Sequence, residues 1–187
     1  MRIFLAVFPP PAVQRALADA VEGVRQPGDG VSWVRLQNFH YTLRFLGEVE
    51  EARIQAVTGA ARDAVQGAVA FRLALSGAGA FPDFRRPRVL WIGARQGGEA
   101  LELLARSLEE ALRRRGFGRA DKPFRAHLTV GRVRDVARAS ASAERLRAVA
   151  VESEFLVDRL ATVHSTLRPS GSEYRIVDEA PLGGPPG

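Results

Sequence analysis

The sequence contains no cysteine, one methionine and one lysine. Without thiols there is no disulfide, no thiolate-held zinc and no cysteine nucleophile. It also lacks any apolar run near the roughly 20 residues that span a bilayer. The apolar start, Met1 to Phe8, is short and meets Pro9-Pro10-Pro11 at once. With no small-residue cleavage site, it reads as a first strand and not a signal peptide. These absences lead to the expectation of a cytoplasmic protein without a membrane partner.

What is present is ordinary for a globular chain of 187 residues: 46% hydrophobic and 26% charged. That length suits one domain, or two small lobes sharing a core, and needs no staples. The net charge is +6, and with Lys122 the only lysine it is carried by arginine. Guanidinium forks match phosphate oxygens in pairs, which suits a nucleotide or nucleic-acid ligand. An arginine- and alanine-rich composition can equally reflect a biased genome, so charge alone decides nothing.

The pattern along the chain is mixed. Strands are expected at 2–8, 31–35, 40–46, 70–75, 89–92, 124–133 and 173–177, with one or two within 154–167. Helices are expected from Pro11 to about Val24, over 50–65, over 99–115 and over 141–149. Leu101, Leu104, Leu108 and Leu112 form the clearest stripe, and Gly116 stops that helix. Phe81 to Pro87 reads as a loop, and Pro181 to Gly187 as a flexible Gly/Pro tail without core residues. Strands alternate with helices but also follow one another closely, which predicts an α+β or α/β two-layer fold with partly antiparallel sheet.

Two segments carry chemistry. His40-Tyr41-Thr42 and His127-Leu128-Thr129 each place histidine and threonine two apart on an expected strand, nearly half the chain apart. Alternation turns the two polar side chains to one face and Tyr41, Leu43, Leu128 and Val130 to the core. One neutral imidazole can take a proton from water while a protonated one gives a proton to a leaving oxygen. Threonine hydroxyls and an arginine can hold phosphate oxygens as charge builds on them. No metal or other cofactor is required. A single His-x-Thr in a strand is commonplace; two copies in a chain with three histidines are less so. A zinc site using His40 and His127 would need a distant acidic ligand. His164 lacks the threonine and reads as structural.

These motifs and their flanks resemble the 2′-5′ RNA ligase family of two-histidine phosphoesterases, also called RNA 2′,3′-cyclic phosphodiesterases. The flanks are Met1-Arg2-Ile3-Phe4-Leu5-Ala6, Trp33-Val34, Phe45-Leu46-Gly47-Glu48, Pro87-Arg88-Val89-Leu90-Trp91 and Lys122-Pro123-Phe124-Arg125. Ser165, Leu167, Gly171 and Tyr174 are similar to the family's last hairpin. Ala126 stands where the family often has proline, and His164 where an aromatic residue or leucine is expected. The resemblance implies an α+β fold of two pseudo-symmetric lobes, mostly antiparallel sheet with helices outside, around a central cleft, as one bilobal domain over 1–180. It implies hydrolysis of RNA 2′,3′-cyclic phosphate ends to 2′-phosphates, with reversible 2′-5′ joining in some members. A monomer is expected, though the sequence does not itself show the oligomeric state. His40 would be the general acid on O3′ and His127 the base on water. Thr42, Thr129 and Arg132 would hold the phosphate, and Phe45 would stack on the terminal base. Regular alternation would send Phe45 to the core unless the strand twists near Arg44; Gly131 eases the same difficulty for Arg132. A non-catalytic RNA- or nucleotide-binding module and a metal-dependent hydrolase are the rival readings.

Overall fold

The computed structural model describes residues 1–169 and 171–184. Its elements run β1 (Arg2–Val7), α1 (Pro11–Glu22), β2 (Val31–Trp33), β3 (Tyr41–Glu48), α2 (Ile54–Ala64), β4 (Phe71–Phe81) and β5 (Val89–Gln96). Then come α3 (Gly98–Arg114), β6 (Leu128–Val133), α4 (Val136–Arg147), β7 (Ser153–Val157), β8 (Arg159–Arg168) and β9 (Gly171–Pro181). The strands join in the order β7-β4-β5-β6-β3-β1-β8-β9, with β2 alongside β6. Every pairing between these strands is antiparallel. The architecture is the α+β one expected.

Two half-sheets compose the whole. In one, β3 and β8 flank β1; in the other, β6 and β4 flank β5. The halves meet at β3 and β6 through one residue pair, Tyr41 opposite Leu128. These are the middle residues of the two His-x-Thr triplets. Each triplet therefore begins at the seam between the halves.

Helices α2 and α3 pack together beside β3, β8 and β9, while α1 and α4 pack beside β7 and β4. Their apolar stripes form the core: Leu17 and Val21 from α1, Val57 and Ala61 from α2, and Leu101, Leu108 and Leu112 from α3 are all buried. Tyr41, Leu43, Leu128 and Val130 join that core, as alternation predicts. The opposite face of the sheet is left for the motif histidines. Among the described residues no helix is long and apolar enough to cross a membrane.

Several boundaries differ from the sequence expectation. Strand β4 continues to Phe81, beyond the alternating stretch, because its small residues make room for Trp91. A Cβ on Gly79 would run into that indole. Strand β6 begins at Leu128 and not at Phe124, and β3 at Tyr41 and not at His40, so each motif histidine stands just before its strand. Helix α4 begins early, at Val136, where the Asp135 carboxylate caps it by accepting from the Arg138 amide at 3.2 Å. The Gly/Pro end is not free of core residues: Leu182 is buried, and Gly183 forms a bridge with Val69. The rest of that expected tail, 185–187, lies outside the described residues.

Candidate active site

His40 and His127 are held in the same way. His40 Nδ1 is 2.7 Å from the Asn38 carbonyl oxygen, and His127 Nδ1 is 2.7 Å from that of Arg125. A carbonyl only accepts, so each Nδ1 carries its proton and donates it. In the neutral ring Nε2 is then the free base. Both imidazoles present the same nitrogen for proton transfer. Ala126, where the resemblance expects proline, does not disturb this contact.

Aromatic rings enclose each histidine. Phe4 and Phe8 lie 4.9 and 5.4 Å from His40, and Tyr174 meets it edge-on at 5.4 Å. Phe81 meets His127 edge-on at 5.0 Å, with Trp91 behind at 6.4 Å. Burial lowers the His40 pKa to about 4, opposed by the Asn38 hydrogen bond and assisted by the Arg132 and His127 charges. Burial also lowers His127, opposed by the Arg125 hydrogen bond and assisted by Arg132.

A stability prediction follows. The folded pKa of His40 lies below its unfolded value of about 6.5, so the fold favours the neutral ring. That contribution is complete above pH 6.5 and is lost as pH falls towards 4. For His40 alone it amounts to about 3 kcal/mol. His40→Gln should therefore show a shallower fall in Tm across this window; an unchanged slope would refute the account.

The strand registers explain how Phe45 and Arg132 reach the histidines' face. Leu5 pairs with Arg44 and Ala6 with Thr42, leaving Leu43 without a partner. Leu90 pairs with Gly131 and Trp91 with Thr129, leaving Val130 without one. Each is a β-bulge, and the extra residue reverses the alternation beyond it. The bulge follows the threonine in both motifs. Phe45 or Arg132, five residues after its histidine, then joins the face of the motif threonine.

The result is a cleft of about 480 Å³ whose walls include Thr42, Phe45, His127 and Arg132. Phe45 is 49% exposed. Arg2, not singled out by sequence reasoning, lines the same cleft with its guanidinium 4.8 Å from the centre of the Phe45 ring. The aromatic rings around the histidines were missed too; Phe4 and Phe8 share the spacing Phe4-x-Ala6-x-Phe8, but nothing local ties them, Tyr174, Phe81 or Trp91 to the histidines. Thr129 sits half-buried two residues beyond His127. His164 is not brought in. It pairs with Ile3 and Arg175, and Ile3 belongs to the helix-side core. Among the described residues no three histidine or carboxylate groups gather as metal ligands.

The doubled architecture has a counterpart in known proteins. The pattern of the LigT-like phosphoesterases matches residues 7–91 and again residues 92–174. This chain belongs to the LigT-like phosphoesterase family. A relative in Aquifex aeolicus, an RNA 2′,3′-cyclic phosphodiesterase, is 35% identical over 81% of this chain and 82% of its own. The crystal structure of TT0787, a Thermus thermophilus protein, superposes with a TM-score of 0.83 at 29% identity, covering 98% of this chain and 99% of the other. E. coli LigT complexed with 3′-AMP superposes with a TM-score of 0.77 at 26% identity, covering 97% of each chain. The two matched segments divide the chain within β5, so each LigT-like phosphoesterase repeat contributes one His-x-Thr strand.

Proposed function

We propose that this protein is an RNA 2′,3′-cyclic phosphodiesterase, opening cyclic phosphate ends to 2′-phosphates by acid–base catalysis between His40 and His127. One observation carries the reading: both imidazoles are fixed in the same tautomer, with Nε2 free, on either side of one strand pair. Relatives named RNA 2′,3′-cyclic phosphodiesterase, among them those of Aquifex aeolicus and Thermotoga maritima, support the substrate class. The 3′-AMP complex of E. coli LigT supports a nucleotide-sized ligand.

His127 takes the proton of the attacking water, and His40 protonates the departing O3′. His40 resists protonation because it is buried and faces the Arg132 charge. A bound phosphate offsets the Arg132 charge and adds its own, so it raises the His40 pKa where an acid is needed. Thr42, Thr129 and Arg132 hold the phosphate, and Phe45 stacks on the terminal base. The same cleft would accept an RNA 5′-hydroxyl in place of water, joining ends through a reversible 2′-5′ linkage.

The test is incubation with an RNA bearing a 2′,3′-cyclic phosphate, with and without a strong chelator, followed by assignment of the product phosphate. The expected product is the 2′-phosphate, at the same rate in both samples. Activity lost to chelation and restored by zinc would instead support a metal-dependent hydrolase. Salt-sensitive RNA binding without turnover would support a binding module.

A further inference from the structure

Beside the cleft that holds Thr42 and Arg132, a second hollow of about 760 Å³ opens on the other side of His127. Phe81, Pro82, Val89 and Pro123 give it apolar lining and Arg88, Lys122 and Arg125 cationic lining; Lys122, Pro123, Arg125 and His127 are shared with the first cleft. Resting on the acid–base reading above, we propose that this hollow seats the nucleoside whose 5′-hydroxyl replaces water as the attacking group.

In-line displacement places the nucleophile opposite the leaving oxygen. With O3′ leaving towards His40, the attacking atom enters from the side of His127, where the hollow lies. A water molecule occupies about 30 Å³ in the liquid. The hollow is far larger, within the roughly 300–1,000 Å³ of sites that bury small organic ligands. Its chemistry is that of a nucleotide: flat apolar surface for a base, cations for a phosphate. Neither Arg88 nor Lys122 has a carboxylate partner among the described residues. The backbone of Arg88 is fixed on both sides. Its amide donates to the Phe81 carbonyl at 2.7 Å, and its carbonyl accepts from the Val133 amide at 3.0 Å.

The step balances without another reactant. The 5′ oxygen bonds to phosphorus as the P–O3′ bond breaks. The hydroxyl proton passes to His127, and a proton from His40 passes to O3′. The 2′ ester is untouched, so the product is a 2′-5′ phosphodiester.

The experiment uses adenosine 2′,3′-cyclic phosphate as donor and a 5′-hydroxyl, 3′-blocked tetranucleotide as acceptor, with wild type, Arg88→Glu and Arg88→Lys. Hydrolysis without acceptor should change by less than about twofold, because Arg88 is not among the residues lining the cleft that holds Thr42 and Arg132. The acceptor concentration for half-maximal joining should rise on the order of tenfold in Arg88→Glu, with Arg88→Lys between, as loss of a charge-assisted phosphate contact requires. Wild type that hydrolyses the donor but makes no joined product overturns the inference and leaves the hydrolytic reading standing. Equal acceptor dependence in all three proteins overturns it, as does an equal loss of hydrolysis and joining. So does a dinucleotide donor whose lower KM is abolished by Arg88→Glu, which would give the hollow to the donor's own chain.

Discussion

His40→Ala and His127→Ala should each slow opening of the cyclic phosphate by roughly 10²- to 10⁴-fold, the usual worth of a positioned proton donor or acceptor. Only the first should be rescued when O3′ of the substrate is replaced by sulfur. A thiol has a pKa of about 8.5, so a thiolate departs without a proton and the acid becomes dispensable. A base that activates water is needed whatever leaves. Rescue of His127→Ala alone would exchange the two roles; rescue of neither would remove the acid from the rate-limiting step. The double variant should lose far less than the product of the single losses, because the two rings act on one transition state. In the wild type both limbs of the bell-shaped kcat profile should lie at higher pH than those of kcat/KM. The bound phosphate favours protonated imidazole, and burial without it does the reverse.

Arg132→Ala should reduce turnover by roughly 10²- to 10³-fold, the range for removing one donor to a developing anion. Arg132→Lys should fall between, since it keeps the charge and loses the planar fork. A second readout separates this from general damage. Arg132 lowers the pKa of both histidines. Removing its charge relieves the protonated rings, so both limbs of the kcat/KM profile should move to higher pH. A rate loss with an unmoved profile would show that Arg132 does not face the two rings. His164→Ala is the control, because His164 pairs with Ile3 and Arg175 away from the cleft.

Alternation sufficed to place His40 with Thr42, His127 with Thr129, and Tyr41 and Leu128 in the core. It failed for Phe45 and Arg132, which stand at an odd offset from their histidines. The failure is physical: a bulge is set by which residues of β1 and β5 lie opposite, and those partners are distant in sequence. A local clue existed in the equal spacing of Phe45 and Arg132 from their histidines. The end of β4 was hidden for a related reason. Ser76 to Ala80 has no β-branched residue, and its fitness as strand depends on Trp91 lying across Gly79. The Asp135 cap was legible in principle; a carboxylate three residues before the Arg138 amide is a start signal that the alanine-rich stretch obscured. The rings around His40 come from β1 and β9, at opposite ends of the chain, a proximity no local pattern carries.

The seam between Tyr41 and Leu128 has a consequence for polarity. Two identical repeats meeting on an axis would build a cleft with two identical walls. Such a cleft would accept a ribose phosphate equally well in either direction, and neither imidazole would have a fixed task. Here the repeats agree in histidine, threonine and bulge, and differ at the next cleft position, phenylalanine on one wall and arginine on the other. An aromatic face and a cation cannot exchange places. On the roles proposed for Phe45 and Arg132 the cleft would read the substrate in one orientation, and this departure from symmetry would give a doubled fold its sense of direction.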